Sequence, residues 1–178
     1  MSFASSYGLF LDRGLHPRLG IEDRIRELMK GQLLHRGRQK TYVLVFEPGD
    51  EVIDELTAFA RAKGLAASHF TAIGAFSKVT LGYFERERKD YKPIRLDEQV
   101  EVLILAGDVA LKDGEPKVHA HVVVGKADGT AHGGHLLAAR VWPTLELVLT
   151  ESPRRLRRRS DAATGLALLD LEATATAA

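Results

Sequence analysis

Short apolar runs and period-two alternation dominate this chain, and a period of 3.6 stands out in one place. "TYVLVF", from Thr41 to Phe46, is β-branched and aromatic, and "PGD" then breaks it. Val52, Ile53, Leu56, Phe59 and Ala60 fall on one helical face. With Asp50 as N-cap and Gly64 as stop, they predict a helix over about residues 51–63. "SHFTAIGAFSKVTLGYF" reads as strand, glycine kink, strand, and "VEVLILAGDVAL" as a long strand near a sheet's centre. "VHAHVVVG", "HLLAARVW" and "TLELVLTE" follow as further strands. One helix among six or more strands predicts an α+β fold, a largely antiparallel sheet with one main flanking helix.

The ends read differently. Residues 1–37 are expected to be an N-terminal extension with a short amphipathic helix on Ile21, Ile25, Leu28 and Met29. Residues 38–171 form the single domain, and "EATATAA", residues 172–178, a disordered tail.

Four of the chain's seven histidines lie between Lys117 and Leu137. His119 and His121 are two apart in a strand, so both face one side, about 7 Å apart. The following turn decides whether His135 joins them. A two-residue loop at Asp128-Gly129 would pair His135 with Val122 and turn it away. A three-residue loop, Ala127-Asp128-Gly129, pairs Lys126 with Thr130 and puts His135 opposite His121; Gly129 sits where that loop needs a left-handed residue. Glycines 133 and 134 could host a bulge that shifts the count. His132 then faces the other side, and His16, His35 and His69 have no company. Three imidazoles with no thiolate suit a divalent ion, zinc first, with a fourth position open to water or ligand. The competing reading is three polar residues on an exposed strand face.

Two carboxylates come into play. The turn signal Asp113-Gly114 sets Asp108 opposite His119, where it either orients that ring from behind or is a surface aspartate. Glu146 in "WPTLELVLT" is either the wet face of an edge strand or, facing a cavity with the histidines, a general-base candidate.

Composition narrows the class. There is no cysteine, so disulfides and thiolate sites are excluded. No apolar run is long enough to span a membrane, and the first twenty residues lack a signal-peptide pattern, so a cytoplasmic protein is expected. Twenty-five basic against twenty-four acidic residues give +1, a weak charge for a DNA-gripping protein. The one dense basic run, Arg154, Arg155, Arg157, Arg158 and Arg159, reads as solvated surface or as a nucleic-acid contact.

The core resembles the PPC ("plants and prokaryotes conserved") domain family. The resemblance rests on "FEPGDEVIDELTAFARAKGL", "TAIGAFSKVTLGYF", the "VHAHVVV…GGHLL" pair, "PTLELVLTE" and the closing "TGLALLDL", over about residues 38–171. It implies a compact α+β homotrimer, metal binding at the positions of His119, His121 and His135, and the label of predicted DNA-binding protein. In plant relatives DNA is gripped by a separate Arg-Gly-Arg-Pro hook. Here "HRGRQK", residues 35–40, has Gln39 in place of that proline. The resemblance thus implies a trimeric DNA-binding or regulatory protein with a three-histidine metal site. The alternatives are a metal-dependent enzyme or small-molecule binding protein acting at a subunit cleft, and an assembly module with a structural ion.

Overall fold

The computed structural model describes residues 29–175. In chain order they form β1 (Met29–Arg36), β2 (Lys40–Phe46), α1 (Val52–Lys63), β3 (Ala67–Glu85), β4 (Asp90–Leu96), β5 (Val100–Lys112), β6 (Glu115–Gly125), β7 (Ala131–Glu151), β8 (Arg157–Ser160), β9 (Ala167–Leu169) and α2 (Leu171–Ala175). The strands make one sheet, antiparallel throughout except where β8 lies parallel to β5. This is the expected α+β class.

Four strands close on themselves. β3 pairs with β5, β5 with β6, β6 with β7, and β7 returns to β3. Closure leaves these strands few free edges. Alternation sends Leu145, Leu147 and Leu149 inward, to meet Leu44, Phe46, Phe70, Phe76 and Leu105, all essentially inaccessible.

The helix packs on β6 and β7 and buries Val52, Leu56, Phe59 and Ala60; the Phe59 ring meets Tyr42 edge-on at 5.3 Å. Its C-terminus ends at Gly64 as expected, in the left-handed conformation at φ 63°, with the Leu65 amide donating to the Ala60 carbonyl. Its N-cap is Glu51 and not Asp50. One Glu51 oxygen accepts from the Asp54 amide at 3.0 Å, and the other from the Ala139 amide of β7 at 2.7 Å. Asp50 caps the preceding turn, accepting from the Glu47 amide. The longer carboxylate reaches both the helix start and the sheet, which Asp50 does not.

Two predicted strand pairs are single long strands. β3 bends at Gly74, where the register shifts; an added Cβ there would stand 2.3 Å from the Thr144 carbonyl oxygen, so only glycine fits. β7 runs through Pro143 because residues 142–144 bulge between the Leu145–Gly74 and Val141–Phe76 pairs, where a missing amide donor costs no ladder bond.

Part of the expected extension belongs to the sheet, since β1 pairs with β2. The helix expected from Ile21 to Leu28 lies outside the described residues, and Met29 begins β1. At the other end, residues 172–175 of the expected tail continue a short helix instead, with Asp170 accepting from the Ala173 amide at 3.0 Å.

Candidate metal centre

The two turns act as the sequence predicts. Asp113 and Gly114 both take positive φ, 52° and 87°, so Lys112 pairs with Glu115 and Asp108 with His119. In the second turn Gly129 takes φ 81°, the Lys126 amide donates to the Thr130 carbonyl, and Asp128 accepts from the Thr130 amide and hydroxyl. His121 therefore pairs with His135, and the pairing runs unbroken through Gly133 and Gly134 to Ala131. Gly134 serves closeness: a Cβ there would sit 2.9 Å from the Gly82 carbonyl oxygen.

The three rings converge. Ring centroids of His119, His121 and His135 are 5.2 to 5.3 Å apart, and one nitrogen from each lies within 4.8 Å of the others. A tetrahedral zinc with bonds of about 2.1 Å spaces its nitrogens by roughly 3.4 Å, so small ring rotations close the set. Nδ1 of His135 is buried without a hydrogen-bond partner, so this ring carries a nitrogen that no protein group satisfies. The residues present thus fit a divalent ion held by neutral imidazoles.

Burial and neighbouring charge favour the neutral form of His121 and His135. Burial, and then the proximity of His119, His121 and Lys117, pushes His135 down to about 4. Burial and His119 lower His121 as well. In ion-free protein, His135 in the unfolded chain takes a proton near pH 6.5, while the folded chain resists until about pH 4. The unfolded state therefore binds more protons in that window, and folding stability drops as pH falls through it. Urea titrations in chelator are expected to show this slope, flattened in His135→Gln; equal slopes would contradict it.

Behind His119 stands an ion pair that the sequence only half revealed. Asp108 Oδ2 is 3.7 Å from His119 Nδ1, and Asp108 Oδ1 accepts from the Arg158 guanidinium at 2.5 Å. Arg158 also approaches His119 Nδ1 to 3.4 Å and donates to the Ala167 carbonyl; its side chain is 6% exposed. Burial raises Asp108, but hydrogen bonds and charge from His119 and Arg158 outweigh it and hold the group below its ordinary value. A carboxylate behind a histidine ligand fixes the ring and raises its basicity. Asp108→Asn is accordingly expected to weaken zinc binding by roughly 10–100-fold in chelator competition. Unchanged affinity would reduce Asp108 to a structural role.

The other candidates are dispersed. Arg158, grouped with the nucleic-acid candidates, is committed to Asp108 and cannot meet phosphate. Arg154 and Arg155 are exposed, Arg157 is half-buried, and Arg159 lies 3.7 Å from Asp170. Arg-Gly-Arg is the turn between β1 and β2, with the Gly37 amide bonded to the Gln39 carbonyl. Glu146 pairs with Val45 and Ile73 on the outward face, nine β3 residues from Gly82, the partner of His135. That is about 30 Å of strand. His69, left without company in the sequence, pairs with Asp108 and so lies in one row with it and His119. Tyr91 of β4 stacks on His135, centroids 4.4 Å apart at 16°, and its strand carries no pattern that announces it.

The model of the Plants and Prokaryotes Conserved (PCC) domain matches residues 35–153. The chain belongs to this family. A PPC protein from Pyrococcus horikoshii superposes with a TM-score of 0.70 at 34% identity, covering 79% of this chain and 94% of its own. A metal-containing protein from Archaeoglobus fulgidus gives 0.69 at 33%, covering 80% and 98%. A candidate DNA-binding protein from Bacteroides thetaiotaomicron gives 0.75 at 28%, covering 82% and 99%. Among curated proteins, the bifunctional protein GlmU of Synechococcus sp. strain JA-3-3Ab is 36% identical over 149 residues, 82% of this chain and 23% of that one. The chain spans about a quarter of the length of the curated relatives it matches. Arg158 lies beyond the span that the PPC model matches.

Proposed function

We propose that this PPC domain is an ion-dependent small-molecule binding module, with His119, His121 and His135 holding one divalent ion, zinc first. The observation that carries the reading is the convergence of three ring nitrogens, one from each histidine, within 4.8 Å of one another. An ion on three imidazoles keeps a position open and supplies Lewis acidity there. Glu146 is too far along the strand to serve the same chain's histidines, which favours binding over Glu146-assisted hydrolysis. A metal-containing relative of the same fold supports the reading. The Synechococcus relatives, which match over a quarter of their length, support its use as a module within larger proteins. Elemental analysis of untagged protein is expected to find about one zinc per chain. Ion-free protein after purification in zinc-supplemented medium would contradict it.

The domain is further proposed to act as a homotrimer. Ile73, Leu103, Ile104, Trp142 and Val148 point outward and are 42–59% exposed, apolar surface that neighbouring subunits would cover. A closed ring predicts a mass near three times 19.6 kDa, about 59 kDa, by light scattering.

A DNA-associated role is the second reading, favoured by the description of the Bacteroides relative. Its physical basis here is thin: +1 net charge and a basic run from which Arg158 is withdrawn. If Arg154 and Arg155 meet phosphates, affinity per chain falls roughly tenfold between 50 and 200 mM salt. Gel shifts are expected to show weak, unselective binding that disappears in that range. A sequence-selective complex at physiological salt would overturn this expectation.

A further inference from the structure

A cleft of about 400 Å³ opens beside His119 and His135, within the range of small-ligand pockets. Its residues come from the helix, from β4 to β7 and from the C-terminal segment around β8 and β9. Two features of this lining stand out. It contains Lys112, Lys117 and Arg158 and no carboxylate at all. Much of the rest of the lining is aliphatic: Ile53, Leu136, Leu137, Leu166 and Leu168.

The charges are not equivalent. Arg158 is neutralised by Asp108, which stands just behind the lining. Lys112 and Lys117 have no such partner in the cleft, and Lys117 is close enough to act on the His135 ring. Added to a divalent ion on neutral imidazoles, Lys117 makes the histidine end of the cleft positive. A group entering there must be anionic to repay the desolvation of those charges.

We infer that the cleft binds a small organic carboxylate with an apolar body, the carboxylate beside the histidine centre and Lys117, the body against Ile53, Leu137, Leu166 and Leu168. The inference rests on the ion-binding reading of the histidines. Lysines and a divalent ion attract phosphate as well as carboxylate, but the one guanidinium in the lining is already engaged and the aliphatic lining gives phosphate nothing to pack against. A carboxylate needs only one point charge and one ion, and it is a normal oxygen ligand for zinc. The aliphatic walls supply what a bare anion would not use.

Cobalt(II)-loaded full-length protein, followed by visible absorption, tests this with hexanoate, acetate, 1-hexanol and inorganic phosphate. Hexanoate is expected to shift the cobalt bands saturably and to bind at least about tenfold tighter than acetate, through its buried methylenes. Hexanol is expected to leave the bands unchanged, and phosphate to bind at least about tenfold more weakly than hexanoate because it leaves the aliphatic lining unused. Lys117→Gln is expected to keep the cobalt spectrum and weaken hexanoate by roughly tenfold, about 1.4 kcal/mol. Cobalt bands that hexanoate leaves untouched would overturn the inference alone, as would equal binding of acetate, equal binding of phosphate, or an unaffected Lys117→Gln variant. Absence of any protein-bound cobalt spectrum would overturn the ion reading itself, and the inference with it.

Discussion

Replacing His121 by alanine is expected to abolish stoichiometric zinc binding while leaving the fold intact. His121 is exposed on the face of β6 opposite Val118, Ala120, Val122 and Val124, so truncation opens no core cavity. In the presence of chelator its stability should stay within about 0.5 kcal/mol of the parent chain, as for surface changes elsewhere. Two imidazoles cannot enclose an ion as three do. The loss should therefore exceed the roughly 10–100-fold that follows from disturbing an outer partner such as Asp108. Zinc content and urea unfolding of the two proteins check both halves. Equal zinc in variant and parent would remove the site as described.

The second large effect is expected at Gly107. A Cβ there would stand 2.3 Å from the His119 carbonyl oxygen and 2.5 Å from Cζ of Phe70, which is 1% exposed. Gly107 pairs with Phe70 on one side and Ala120 on the other, so neither neighbour has room to retreat. Gly107→Ala is expected to cost about 3 kcal/mol, the upper end of overpacking penalties. Relief of the clash moves β6 off β5, and His119 with it, so zinc affinity should fall too. Urea unfolding in chelator reads the first effect and chelator competition the second. A cost under about 1 kcal/mol would show that the sheet yields here more easily than close-packed interiors do.

How much of this was legible in the sequence depends on the kind of signal. Turn chemistry was decisive: Gly129 and Asp113-Gly114 fix two hairpins, and counting outward from them pairs His121 with His135 and Asp108 with His119. The helix was legible because its buried residues repeat at helical spacing. Its cap was misplaced because Glu51 is held partly by the Ala139 amide, a contact 88 residues away that no local pattern encodes.

The parts of the site that escaped lie on short or edge strands. β4 buries only Leu96 of its seven residues, so it has no alternation to read, and Tyr91 came with it unseen. In β8, four residues long, Arg158 looks like its neighbours Arg157 and Arg159 in sequence. Only the parallel pairing of β8 with β5 turns one arginine of the run inward to Asp108. A charge run conceals such a residue because composition does not say which member is buried. The bends of β3 and β7 were visible as Gly74 and Pro143, but their continuity needed the bulge that aligns them.

Anomalous diffraction at the zinc edge, on crystals of untagged protein, tests the central claim most directly. The account predicts one peak per chain, about 2.1 Å from a ring nitrogen of each of His119, His121 and His135. A strong peak elsewhere, or none at these three histidines in crystals supplied with zinc, would contradict it.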